Sequence, residues 1–171
     1  MVKQKKSQNV VHILSEASRT LLKITLVSER GMLTSKGWRP ICAICGEPIM
    51  EEPDMHESIM TRGNVQGNYL LEGRIYTKEN CVLVHPGGKN IGTCHQIAHT
   101  KEGREKCIKQ ILRYVPVSQV LQWLDGLSLE MKSTLPMERM EEVKRVWKEM
   151  PVDHRHIEGG DYWGGLKSTK T

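Results

Sequence analysis

The chain has 171 residues, with 25 Lys/Arg against 20 Asp/Glu, 38% hydrophobic residues and no Phe. That length suits one domain with a modest core and terminal extensions, in which nine Met and four Trp must supply much of the packing. No run of about 18 apolar residues occurs, and the basic N-terminus lacks an apolar signal core and a cleavage site, so neither a membrane span nor export is expected and the cytoplasm is the expected compartment.

The net charge of +5 is unevenly spread. Residues 1–40 hold eight Lys/Arg against two acids (+6), and residues 41–104 hold six against eight (−2). A basic arm beside an acidic centre suits a nucleic-acid binder with a cation site, and equally a solvated N-terminus. Five cysteines is an odd count, which argues against a complete disulfide framework and for metal ligation by Cys spacing.

In chain order, residues 1–8 form a basic tail. Val10, Ile13, Ala17, Leu21 and Ile24 then fall at helical spacing, predicting an amphipathic helix over 9–29. Leu22, Ile24 and Leu26 also alternate, leaving a terminal strand as the alternative. Gly31–Pro40 reads as a loop. Two short strands are expected at 54–62 and 69–77 around a turn-rich segment, followed by a buried run, Cys81–Val84, and a loop at Pro86–Asn90. Thr93 is a candidate N-cap for a helix that Gly103 breaks, with further helices over 104–114, 117–125 and 136–150. Pro151 stops the last, and the remainder is expected to be a mobile tail. The organisation is thus a basic arm and helix (1–40), a core (41–114), C-terminal helices (115–150) and a tail (151–171).

Cys42 and Cys45 form a C-x-x-C pair, a spacing that points two thiolates at one cation from a single turn. Zinc prefers four such ligands in a tetrahedron. His85 and Cys94, flanking the next loop, are candidates for the other two, with Cys81 as competitor; Cys107 reads as an ordinary buried thiol. A redox pair is the alternative, but the βαβ context it needs is absent. His95 and His99 are four residues apart, so on a helix both imidazoles face one way. Strand alternation puts Asp54 and His56 on one face and Glu57 on the other, so His56 can join the two histidines with Asp54 beside it.

The ordered set Cys42-x-x-Cys45, Asp54-x-His56-Glu57, Asn80-x-x-x-x-His85 and Cys94-His95-x-x-x-His99 resembles the HNH (ββα-metal) endonucleases, particularly small phage-type members with a zinc knuckle and a His-Glu variant of the motif. The resemblance spans about residues 40–114. It implies an α+β fold, a ββα-metal core with a zinc knuckle flanked by an N-terminal helix and C-terminal helices. It further implies a metal-dependent DNA endonuclease in which His56, His95 and His99 bind a catalytic Mg²⁺, Mn²⁺ or similar ion. Cys42, Cys45, His85 and Cys94 would bind structural zinc, and Asn80 would hold the loop between the strands through backbone hydrogen bonds. The chain departs from the family pattern where His85 replaces a Cys at a wider spacing, and where Glu57 stands in the place of the general-base His. A carboxylate near a cation is a weak base, so either Glu57 serves as base with reduced activity, or Glu57 helps bind metal and Asp54 takes the base role.

Arg62 and Arg74 are candidates for phosphate contact, with Lys3, Lys5, Lys6, Arg19 and Lys23 adding sequence-independent grip. Two alternatives remain: a catalytically weak or inactive zinc-stabilised DNA-binding protein of the same fold, or an interaction module for phage or replication proteins. The helices over 116–150, bearing Leu121, Trp123, Leu124, Trp147 and Met150, are expected to close the core or form a homodimer. Asp153-His154-Arg155-His156 reads as a polar loop, with metal or phosphate binding as the alternative.

Overall fold

A computed structural model describes residues 2–66, 68–87 and 92–156. The architecture is α+β: six helices and two small antiparallel two-stranded sheets among the described residues. None of those helices is long and apolar enough to cross a membrane.

Helix α1 (Val2–Glu29) begins earlier than expected and absorbs the basic tail. Its buried face also differs from the expected one. Leu26 is fully buried and Leu22 half-buried against the core, whereas Ala17, Leu21 and Ile24 face outward, the last two 67% and 62% exposed. Two apolar stripes overlap on this helix, and the partner surface selects the one that continues through Arg30. Val10 and Ile13 have side chains outside the described residues. The alternating Leu22, Ile24 and Leu26 remain helical because the α1 ladder continues to Glu29.

The expected loop at 31–40 is a hairpin, β1 (Gly31–Thr34) with β2 (Gly37–Pro40). Gly37 takes φ 89° to close the two-residue turn. The next strand, β3 (Asp54–Glu57), is shorter than the expected 54–62, because Ser58–Met60 bend into a loop held from below by Asn80. A 3-10 turn follows at Arg62–Asn64.

The expected strand at 69–77 is instead helix α2 (Tyr69–Arg74). Asn68 caps it by accepting from the Leu71 N–H, Glu72 sits in its first turn, and Leu71 and Ile75 bury at i,i+4 spacing. The strand that pairs with β3 is β4 (Cys81–Val84), all four residues of which are buried. Its register aligns Asp54 with Val84 and His56 with Val82.

Helix α3 (Cys94–Ala98) is capped by Thr93, and α4 (Lys101–Tyr114) by Thr100. The break between them therefore falls at His99–Thr100 rather than at Gly103. Gly103 lies inside α4 and lets it pack on α3: a Cβ there would lie 1.8 Å from the Ile97 carbonyl oxygen. Helices α5 (Val117–Ser128) and α6 (Leu135–Glu149) pack on each other. Val120, Leu124, Leu127, Val143 and Val146 are fully buried there. The chain after Pro151 is not wholly a tail. Arg155 lies 4.4 Å over the Trp147 ring, and the His156 N–H donates to the Leu112 carbonyl. The rest of the expected tail, 157–171, lies outside the described residues.

One buried cation ties these layers together. Arg30 is 1% exposed, and its guanidinium donates to the Cys81 and Lys78 carbonyls at 2.7 Å each while lying over Tyr114. Burial lowers its pKa to about 10, so it stays charged at neutral pH and joins the end of α1 to the start of β4.

Candidate metal centres

The turn carrying Cys42 and Cys45 is closed by its own backbone. The Cys42 N–H donates to the Glu47 carbonyl and the Gly46 N–H to the Cys42 carbonyl, both at 3.0 Å, with Gly46 at φ 78°. The Ala43 N–H donates to the Leu83 carbonyl at 2.9 Å, which presses the turn onto β4. His85 follows β4 directly and Cys94 opens α3, so three separate elements deliver the ligands. Close approach at Gly87 helps join them, because a Cβ there would meet Thr93 at 2.4 Å.

The ligand atoms of Cys42, Cys45, His85 and Cys94 lie within 4.8 Å of one another, and the four could hold a metal ion. His85 Nδ1 is 3.4 Å from Cys45 Sγ. Burial opposes ionisation of Cys42. The backbone N–H groups of Cys45, His85 and Ile44, with the His85 side chain, outweigh it and hold the thiol down at about 7. Burial, then the neighbouring Cys42 and Cys45 sulfurs, push Cys94 up to about 12. A cation among these sulfurs would relieve that repulsion and draw the proton off Cys94. The competitor Cys81 is not in the cluster: it is fully buried on β4, with its sulfur 3.5 Å from the Ile75 carbonyl. Cys107 is buried in α4, and burial raises its pKa to about 12.

The second cluster uses β3 and α3. His56, buried on β3, faces His95 on α3 and His99 at its C-terminus. His99 keeps helical backbone angles (φ −76°, ψ −13°), so the i,i+4 geometry of the pair survives to the helix end. The ring centroids are 4.7 Å apart for His56–His99, 5.3 Å for His95–His99 and 5.7 Å for His56–His95. Their ligand atoms also lie within 4.8 Å of one another and could hold an ion. Asp54, one alternation from His56, places Oδ2 2.7 Å from His95 Nδ1. A carboxylate there fixes the tautomer that presents Nε2 to a cation. Burial, then the charges of His99 and His95, lower the His56 pKa to about 4. His56 is therefore neutral at pH 7, the form that ligates metal.

Glu57 lies on the opposite face of β3. Its carboxylate accepts from the Arg62 N–H at 3.4 Å, and it sits near Tyr76, whose pKa is raised by burial and then by Glu57. Asn80 is fully buried. Its Oδ1 accepts from the Ile59 and Met60 N–H groups at 2.9 Å each, and its Nδ2 donates to the Met60 and Ile75 carbonyls at 2.7 and 2.9 Å. The amide thus uses all four of its bonding directions to hold the chain that joins β3 to β4.

The residues expected to touch phosphate are dispersed, and neither arginine sits on a strand. Arg62 is exposed in the 3-10 turn. Arg74, on α2, pairs with Glu130. Arg19 lies 5.7 Å over Tyr76, and Lys23 pairs with Glu52. Lys3, Lys5 and Lys6 fall on α1, with side chains outside the described residues. Arg30 and Gly103 carry no local signal, because their roles depend on segments far away in the chain or packed against them.

No family model, no curated protein and no solved structure matches this chain.

Proposed function

We propose that the protein is a metal-dependent DNA endonuclease of the HNH type, braced by a structural zinc at Cys42, Cys45, His85 and Cys94. The observation that carries this reading is the convergence of His56, His95 and His99 on an antiparallel strand pair followed by a helix, with Asp54 bonded to His95. His56, His95 and His99 would hold a divalent ion, which would supply Lewis acidity at a scissile phosphate and its leaving oxygen. The protein's own part is to present three imidazoles from one strand and one helix. Asp54 orients His95, burial keeps His56 unprotonated, and Asn80 fixes the chain between the strands that position them. The three-sulfur, one-nitrogen set suits zinc, which favours tetrahedral thiolate and imidazole ligands. Because Cys94 and His95 are adjacent, the structural ion anchors the residue before a catalytic ligand.

A second reading, a zinc-stabilised DNA-binding protein without catalysis, is favoured by Glu57. Its carboxylate faces Arg62 instead of the histidines, which leaves Asp54 as the carboxylate beside them, already bonded to His95.

A plasmid nicking assay with Mg²⁺, Mn²⁺ or EDTA on wild type and His95→Ala separates the two. Metal-dependent nicking that is lost in a folded His95→Ala variant supports the nuclease. Wild-type protein that shifts DNA but never nicks it supports the binder. Nicking retained by His95→Ala rejects the assignment of the ion to this cluster.

A further inference from the structure

Helix α4 has two charged faces that are treated differently. Toward α6, Arg104 pairs with Glu142 at 2.9 Å and Glu105 with Arg145 at 2.6 Å. On the other side Lys106, Lys109 and Arg113 stand at i, i+3 and i+7, on one face, and none of them forms an ion pair among the described residues. These three line a groove of about 250 Å³ whose opposite wall is the Cys42–Gly46 turn. No acidic residue lines it. Gln110 fixes the width, because its Nε2 donates to the Ile41 carbonyl at 3.2 Å and ties the helix to the strand end that leads into the turn.

We infer that this groove, between α4 and the Cys42–Gly46 turn, is where the protein grips the phosphate backbone of a DNA duplex. The inference rests on the proposal that DNA is the partner, and adds the surface that receives it. Seven residues of helix separate Lys106 from Arg113, about 10 Å along the axis at ~1.5 Å per residue. A row of cations over that length lies along consecutive phosphates of one strand. Such a row suits an extended polyanion better than a single phosphate, which would need the cations to converge. Cations left unpaired beside a concave, acid-free wall release bound counterions when a strand docks, which is the main source of sequence-independent affinity. The groove also adjoins the ligand turn, so the metal clamp would hold the wall against which the strand lies.

The test is equilibrium binding of zinc-loaded protein to a 30-base-pair duplex, without added Mg²⁺, by fluorescence anisotropy across a salt series. Lys106→Gln/Lys109→Gln/Arg113→Gln is compared with Lys36→Gln/Lys132→Gln/Lys148→Gln, an equal charge change elsewhere on the surface. Circular dichroism and melting temperature confirm that both variants are folded. With three phosphate-binding cations removed, the slope of log K against log salt should fall by about three in the groove variant. Its affinity should weaken by at least about tenfold, and the matched variant should change slope by less than about one. If the wild type binds DNA and the groove variant binds with the same slope, the groove is not the contact surface and the DNA-partner proposal stands. If the wild type binds no duplex at any salt, the DNA-partner proposal itself falls, and the groove assignment with it.

Discussion

Replacing Asn80 by Ala should destabilise the protein out of proportion to the size of the change. The side chain is fully buried and makes four hydrogen bonds, two accepted from the Ile59 and Met60 N–H groups and two donated to the Met60 and Ile75 carbonyls. Truncation leaves four backbone groups without these partners in the interior. Each unsatisfied buried group costs about 1–3 kcal/mol, so the loss should be about 4 kcal/mol or more, a large share of the roughly 5–15 kcal/mol that holds a typical domain together. Asn80→Asp is the sharper probe. It keeps the accepting oxygen but turns the donating edge into a second carboxylate oxygen against two carbonyls, so it should be no better tolerated than Ala. Urea unfolding at neutral pH, with zinc present, gives both values. Asn68→Ala serves as the scale, since it removes one helix cap and should cost about 1 kcal/mol. If Asn80→Ala costs no more than Asn68→Ala, the amide does not hold the β3–β4 connection.

Gly103→Ala should separate α3 from α4, because the added Cβ would meet the Ile97 carbonyl oxygen at 1.8 Å and the Ala98 Cα at 2.8 Å. The propensity gain of about 1 kcal/mol for Ala over Gly should be outweighed by overpacking of about 3 kcal/mol, seen as a lower urea midpoint; an unchanged midpoint would contradict the packing. Cys45→Ser, at an exposed position, should empty the four-ligand site and lower the melting temperature sharply. Cys107→Ser, in the core, should leave metal content unchanged; zinc analysis of the two purified variants distinguishes these outcomes. His56 carries a pH signature. Its pKa is held at about 4 in the folded state against about 6.5 unfolded, so its stabilising contribution is present above pH 6.5 and is lost as pH falls toward 4. The total loss is up to about 3 kcal/mol. Between those limits the wild-type urea midpoint should fall more steeply than that of His56→Asn, and parallel curves would refute the shift.

Motif-level chemistry is legible in the chain because it is written in short spacings. C-x-x-C needs only one turn, H-x-x-x-H only one helical turn, and Asp54-x-His56 only strand alternation, so local geometry places each group before any tertiary contact forms. The N-cap at Thr93 and the Pro-led C-terminal helices are equally local. Elsewhere the local signals point two ways. At 69–77 the apolar residues cluster at Tyr69–Leu71 and Ile75–Tyr76, which fixes neither a strand nor a helix period, while the Asn68 side chain that caps a helix there belongs to a segment rich in turn-forming residues. Gly31–Pro40 lacks a distinctive hairpin dipeptide, yet Gly37 closes one.

Residue types and spacings by themselves pointed to helices and short strands without a long apolar span, and to Cys and His groups in two sets that could hold a metal ion. Only the tertiary structure decided which residues complete those sets. His85 and Cys94 join Cys42 and Cys45, while Cys81 does not, because β4 turns Cys81 into the core and presents His85 at its end. It also decided which face of α1 is buried, since a helix carrying two apolar stripes has no preference until a partner surface covers one of them. The same holds for Arg30, whose two carbonyl partners lie about fifty residues away, where no local pattern can announce them.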